Sequence, residues 1–494
     1  LVIDWRGSYN LTGSQEPDRR QVVMFYDNKE DTDHYSFNYI DKNENHRFFS
    51  KLNENEMAGK VNLKYVLSYD SIGNNKVDEK ISFNIGADYR SKTRNFDYKQ
   101  FNYILNGLAS ELGSNVNING LSNYLNSENH DAGGFFIQEV PNGASSYVAT
   151  SSVFSQYVDA NIKLGKLQLV PGVRYEISDQ SVLNRNQQSP SILEKTINSN
   201  DNLLPSLITK YNLTDKDVLR LVGSKTVTRP RFNELAPFQY TLFFAGMKAE
   251  GNPELKNSSN YNVDLRYERY PRPGEMITIG GFYKKIDNPI EQVMKATASG
   301  QLMSYSNALS ANVAGAEFEF VRKLSFIYGD DEARRDSSIL NNFAFGMNAT
   351  YMFTSVQIDT SDLSTINTNT VRPLEGASPF LLNLSLRYEQ KFQNKTKMML
   401  ATSYNIFGKR LVSVGSNGIG DSYALPVNSL NLVSKFSFDN DLTIGFKVNN
   451  VLNPSINIVQ EDMQNIGEII NVSSLKTGVD FSFTLGYTIN YKKK

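Results

Sequence analysis

Apolar and polar residues alternate with a period of two in block after block of this chain. Near its end Val479, Phe481, Phe483, Leu485, Tyr487, Ile489 and Tyr491 share one parity, while Asp480, Ser482, Thr484, Gly486, Thr488 and Asn490 share the other. Successive side chains of a strand point to opposite faces, so this pattern predicts a strand with one oily face. A single such segment would suit the half-buried strand of a soluble sandwich equally well. Repetition decides the matter. Ile81, Phe83, Ile85, Ala87 and Tyr89 alternate with Lys80, Ser82, Asn84, Gly86, Asp88 and Arg90, and the stretches 167–177, 261–267, 342–353 and 382–388 repeat the theme.

Placing strands by alternation and connections by Gly, Asn, Asp and Pro clusters predicts roughly sixteen strands of about ten residues, the length a tilted membrane strand requires. They fall near 2–12, 56–70, 79–92, 149–163, 166–180, 202–213, 217–228, 258–270, 275–287, 311–323, 340–354, 378–391, 397–407, 429–438, 442–452 and 479–491. The connections alternate between short turns, such as Leu164-Gly-Lys166 and Asp439-Asn-Asp441, and long loops, such as 93–148 and 229–257; only the segment near 324–339 is longer than its class. Loop length that segregates by parity predicts an all-β, transmembrane antiparallel β-barrel of the outer-membrane type, with long extracellular loops and short periplasmic turns. Counting parity from the end places the C-terminus, with its Lys492-Lys-Lys494 tail, in the periplasm.

Composition agrees once it is read against that pattern. Mean hydropathy is negative, yet a barrel keeps its apolar residues on alternate positions, so averages cancel. No run approaches the roughly 20 apolar residues of a membrane helix. The absence of cysteine removes disulfides, thiolate nucleophiles and thiolate metal sites together. A net charge of −1 offers no bulk attraction to nucleic acid, and none is expected as a partner. With 27 Tyr and 29 Phe there is enough aromatic surface to girdle both membrane interfaces. No linker divides the 494 residues, which read as one barrel domain over 1–494.

Several segments go further. Gly251-Asn-Pro-Glu-Leu-Lys256, the strand Tyr261 to Tyr267, Ile277 to Lys284 with its Phe282-Tyr-Lys, and Ile286-Asp-Asn-Pro-Ile290 together resemble the corresponding run of TonB-dependent outer-membrane receptors. Ser224 to Leu235 with its Arg229-Pro230, Asn312 to Glu319, Arg372-Pro-Leu-Glu-Gly-Ala-Ser-Pro379, Asn449-Asn-Val-Leu-Asn453 and Gly172 to Glu176 look like further elements of the same family, and the resemblance spans about Trp5 to Tyr491. It implies a barrel of about 22 strands, with a plug domain, a TonB-engaging segment and roughly six strands ahead of Leu1. The implied function is TonB-dependent import of a large or scarce nutrient: siderophore, haem, glycan or peptide. A passive porin, or a receptor-like barrel serving as a subunit of a larger outer-membrane assembly, are the alternatives. Asn-rich loops and a C-terminus without an aromatic residue suggest a Bacteroidetes-type member, in which a surface lipoprotein would be a partner beside membrane lipid, the plug and TonB.

Candidate chemistry is sparse. His34, His46 and His130 lack zinc-ligand spacing, and the acidic residues Asp27 to Asp33 with Asp41 lack a calcium-loop pattern, so neither a metal nor a cofactor is expected. No nucleophile motif appears in its strand-turn-helix context, and no enzyme is expected. Phe135, Phe136, Phe238, Tyr240, Phe243 and Phe244 are loop aromatics, able either to offer ring faces to a ligand or to pack loops together. Arg229 and Arg231 read as solvated or ion-paired arginines beside a strand-ending proline, with ligand contact as the second reading. Lys80, Asn84, Asp88, Arg90, Asp264, Arg266, Asn348 and Thr350 carry the polar parity and are expected to line the lumen.

Overall fold

A computed structural model describes the chain apart from residues 30–31, 38–44, 72–76, 106–115, 131–133, 141–145, 186–188, 190, 242–247, 298–299, 362–365, 394, 440, 463–467 and 489–494. Its centre is an eighteen-stranded sheet. Two short members lie alongside, and the long ones are β1 (Val2–Gln21), β2 (His46–Ser71), β3 (Val77–Leu105), β4 (Tyr147–Leu164), β5 (Leu167–Arg185), β6 (Leu193–Asn212), β7 (Asp217–Thr228) and β8 (Ser258–Arg269), followed by β9 (Met276–Asp287), β10 (Ser310–Lys323), β11 (Phe343–Gln357), β12 (Phe380–Lys391), β13 (Lys397–Phe407), β14 (Val427–Ser437), β15 (Leu442–Asn449) and β16 (Asp480–Tyr487). Each pairs antiparallel with the next in sequence, from β1–β2 through β15–β16.

Register carries the two faces across the whole ladder. Leu63, Ile85, Val158 and Val173 stand opposite one another on β2 to β5, as do Val448 and Phe481 on β15 and β16. Apart from the half-buried Val448 these side chains are solvent-exposed in the isolated chain, and Phe481, Phe483, Leu485 and Tyr487 each exceed 60%. A shift by one residue would invert every strand, so an apolar belt this continuous fixes the register. Facing lipid, these chains need no further partner. Among the described residues no helix is long and apolar enough to cross a membrane; the strands do the crossing.

The strands outrun the length expected of them. β2 and β3 have 26 and 29 residues, because the outward face turns polar after Met57 and Tyr89 while backbone pairing continues to His46 and Asn102. The long turn between β10 and β11 is a compact knob of helical turns, Leu324–Tyr328, Glu332–Ser337 and Ile339–Asn342, capped by the Asp331 and Ser338 side chains.

On the inner face, Gly86 of β3 stands opposite Tyr157 of β4. The phenol lies over the glycine and donates to Asn62 Oδ1 at 3.0 Å, and any Cβ at position 86 would overlap the ring. Gly86→Val is expected to swing Tyr157 off the wall and lower stability by about 1–3 kcal/mol. Urea unfolding of the protein in lipid vesicles would show this as a lowered midpoint.

Candidate functional site

Two features occupy the polar side of the ladder: a track of paired charges up one wall, and a cap of folded loops at the long-loop end. The track begins at Asp88, which accepts two hydrogen bonds from Arg174, at 2.6 and 3.0 Å, and one from Ser155 at 2.9 Å. Arg174 Nε reaches Glu176 at 2.6 Å, and Glu176 in turn accepts from Arg229 at 2.6 Å. Beside it Glu54 pairs with Lys92 at 3.0 Å and Arg94 at 2.5 Å, and Lys92 also reaches Glu56 at 3.0 Å. Opposite charges thus alternate from mid-wall to the base of the cap. Two-point arginine contacts of this kind fix side-chain geometry as well as neutralising charge.

Loops build the cap. Beyond β7, Arg231 precedes a single helical turn, Phe232–Leu235, whose Glu234 side chain accepts from the Arg231 nitrogen at 2.8 Å. The short strands Gln239–Thr241, Lys248–Glu250, Gly300–Asn307 and Ile290–Thr297 then make a four-stranded sheet. Its core buries Phe232, Leu235, Phe238, Leu255, Met294 and Met303 against Tyr147 and Ala149 of β4, Val182 of β5 and Val414 from the β13–β14 connection. Strands so far apart in the ladder meet one core only if the sheet curls around it. Asn367 to Asn369 tie the neighbouring loop in: Asn367 Oδ1 accepts from the Met294 nitrogen at 2.8 Å, Thr368 donates to the Ile419 carbonyl at 2.6 Å, and Asn369 donates to Asp421 at 2.8 Å.

The motifs singled out in the sequence prove to be clasps of this cap. Gly251 lies flat on the Phe232–Leu235 turn. Asn252 donates from its backbone to the Glu234 carbonyl at 2.6 Å and from its side chain to the Tyr305 carbonyl at 2.9 Å. Asn307 holds both the Lys256 carbonyl, at 3.0 Å, and the Asn288 carbonyl, at 2.9 Å, so Gly251-Asn-Pro-Glu-Leu-Lys256 and Ile286-Asp-Asn-Pro-Ile290 are joined through one amide.

A buried charge cluster sits where Arg372 enters. Its Nη2 donates to the Gln292 carbonyl at 2.7 Å and to Glu291 at 3.3 Å, and Gln292 donates to Glu375 at 2.6 Å. Arg372 and Glu291 side chains are 1% and 3% exposed. The cluster lies beyond the lipid belt, which on β11 ends at Phe353, since Arg372 pairs with Val356. Burial pushes the Glu291 and Glu375 carboxyls up to about 7, against the pull of Arg372. Folded values above the ordinary 4.5 mean that protonation favours the folded cap: this contribution is complete below about 4.5 and is lost as pH climbs through about 7. Amide exchange across 290–307, corrected for intrinsic rates, is therefore expected to be slower at pH 5.5 than at pH 8.

The sequence candidates distribute as follows. Asp88 and Arg229 are brought together through Arg174 and Glu176; Arg90 faces Glu56 at 3.9 Å. Lys80 pairs with Asp70 at 3.1 Å, Asn84 with Asp159 at 2.6 Å and Arg266 with Glu317 at 3.2 Å, all on the polar face with Asp264, Asn348 and Thr350. Arg231 is 82% exposed. Phe238 is 1% exposed, and Tyr240 donates to Tyr305 in the same core. Phe135 and Phe136 stand in a strand, Phe135–Glu139, that extends the edge of β3, whereas the sequence offered no strand to place them; five residues between polar loops are too few for alternation to show. Phe135 packs on Tyr103 and His130. Phe243, Phe244 and Asp41 lie outside the described residues. Arg174 and Glu176 entered the sequence reading only as part of a family-like segment, and Glu54, Lys92 and Arg94 not at all, although all five carry the polar parity, because pairing partners up to 86 residues apart are invisible without register. Among the described residues no group of three His, Cys, Asp or Glu could hold a metal ion.

Comparison with known proteins matches residues 3–451 to the family described as TonB dependent receptor-like, beta-barrel. No curated protein sequence matches significantly. Solved structures similar to the chain include the ferric citrate transporter FecA in its unliganded form, at 12% identity with a TM-score of 0.54, covering 97% of this chain and 61% of that one. The ferric yersiniabactin uptake receptor FyuA from Yersinia pestis is 11% identical at a TM-score of 0.52, covering 98% and 58%. The siderophore receptor PiuA from Acinetobacter baumannii is 11% identical at 0.55, covering 92% and 58%. The chain thus spans about three fifths of the length of these structures.

Proposed function

The chain belongs to the TonB-dependent receptor-like β-barrel family, and from that premise we propose that it forms the outer-membrane barrel of an active importer. It takes up a large or scarce nutrient with energy delivered by TonB, and works with a plug domain. The observation that carries this reading is the cap: loops of three connections packed into one core above a polar-lined wall make a receptor's mouth, which admits a solute by rearrangement, rather than an open pore. Structures of similar fold are named for the uptake of iron chelates, which makes a ferric chelate one cargo class, beside haem, glycan and peptide. In this reading the long loops are extracellular, the short turns and the C-terminus periplasmic, and Arg231, exposed beside the cap, is the candidate with most access to an arriving solute. The Asn-rich loops support a Bacteroidetes-type member with a surface lipoprotein partner. The role is transport, not catalysis.

The test is uptake. Cells lacking this protein should lose accumulation of one scarce nutrient, and wild-type accumulation should stop when TonB is deleted or the proton gradient is collapsed. A full-length protein that conducts ions continuously in planar bilayers, with uptake indifferent to TonB, would overturn the reading in favour of a passive porin.

A further inference from the structure

The inner wall is not uniform around the ladder. Over β3 to β5 it is a lattice of ion pairs. Over β11 to β14 it changes character. One inward row runs Asn348, Asn383, Asn405 and Ser429 across the four strands, and the next, toward the short turns, runs Gly346, Ser385, Ser403 and Asn431. Neither row contains a charge. They floor a concavity of about 460 Å³ in which Glu319, at its β10 margin, is the one charged lining residue among the described residues, and this volume lies within the range of small-molecule sites.

The amides form a directional ladder. Asn405 donates to Asn383, Asn383 donates to Asn348 Oδ1 at 3.5 Å, and Asn431 donates to Ser403 at 3.4 Å. A carboxamide has two N–H donors and a carbonyl with two lone pairs, so this ladder leaves donors and acceptors in equal measure turned to the concavity. Gly346 deepens the floor, since a Cβ there would run into the Ser385 hydroxyl. An apolar row, Leu381, Phe407 and Val427, bounds the amides on the side toward the cap.

We propose that the β11–β14 wall is a binding surface for a neutral, hydroxyl-rich solute, that is, an oligosaccharide. The chemistry argues for this against an anionic chelate. A hydroxyl both donates and accepts, matching an array of amides and hydroxyls, and its neighbouring CH groups suit the apolar row. A carboxylate or phosphate accepts only, and would meet as many carbonyl oxygens as N–H groups with no cation in either row; Arg387, one row further toward the short turns, is paired with Glu389 at 3.4 Å. The proposal rests on the import reading and specifies its cargo.

The purified full-length protein in detergent, applied to an array of neutral and acidic oligosaccharides and titrated separately with ferric citrate, tests it. Binding of at least one neutral oligosaccharide is expected, weakened about tenfold or more in the Asn383→Leu/Asn405→Leu double variant. Heat-modifiable electrophoretic migration reports that the barrel is folded. Should the double variant fail to fold, Asn405→Asp keeps the side-chain shape and adds one charge, and is expected to weaken the same sugar about fivefold or more. No neutral oligosaccharide bound, or binding unchanged in every folded variant, overturns the proposal. TonB-dependent uptake of ferric citrate without sugar binding would overturn it while import stands; sugar binding with TonB-independent uptake would uphold the surface while import falls.

Discussion

Arg372→Leu is expected to release the loop cap at pH 8 while the strand ladder stays folded. Arg372 is the cation between the buried Glu291 and the half-buried Glu375 and also holds the Gln292 carbonyl at 2.7 Å. Removing one partner of a buried pair strands the other, at a cost of about 3–5 kcal/mol. The ladder depends little on this residue, because β11 and β12 pair directly from Phe343↔Tyr388 to Tyr351↔Phe380 and Arg372 adds only a short backbone pairing at Val356. The penalty should shrink at pH 5.5, where the carboxyls take up protons and no bare charge remains. Limited proteolysis of 229–310 at both pH values, with electrophoretic migration reporting the barrel, reads both claims. Equal cleavage of variant and wild type at pH 8 would show that the cluster does not hold the cap.

Gly251→Val should have an effect of similar size by a different route. A Cβ at 251 would lie 2.6 Å from the Ala236 nitrogen and the Asn233 carbonyl oxygen, and closer still to the Ala236 carbonyl. These are backbone atoms that cannot rotate aside, so the helical turn Phe232–Leu235 must lift, exposing Phe232, Leu235 and Phe238. Loss of their burial amounts to about 1.5–3 kcal/mol per side chain. Unlike that of Arg372→Leu, the loss relative to wild type should be the same at pH 5.5 and pH 8, because both titrating carboxyls and their arginine remain. Hydrogen exchange over 229–257 that matches wild type would refute the account.

All sixteen barrel strands were legible in the sequence because one physical rule, lipid on one face and a polar interior on the other, writes itself into every second residue. Their upper limits were not. Once β2 and β3 leave the lipid, both faces meet water and alternation vanishes, although the backbone of Phe48 still pairs with Gln100. The site was legible in part. Inward parity marked Asp88 and Asn348, but that Asp88 belongs to a charge track and Asn348 to a neutral ladder depends on which strand lies next to which at what register. Phe238 and Phe135 show the opposite limit: an aromatic in a polar loop announces burial or binding equally, and only tertiary packing separates the two.

The unequal strand lengths have a consequence for how anything reaches this protein. β3 continues from Tyr89 to Leu105 beyond its last lipid-facing aromatic, on the order of 50 Å along the strand at roughly 3.3 Å per residue, whereas β15 is eight residues long in all. The rim is therefore built in two ways: a tall hairpin screen where β2 and β3 project, and, beyond β13 to β16, a second four-stranded sheet of loop segments, Arg410–Ser413, Ser422–Ala424, Ile456–Glu461 and Ile469–Leu475. A bulky visitor, whether cargo or a second protein, meets a two-stranded screen at one sector of this rim and a folded sheet of loops at another.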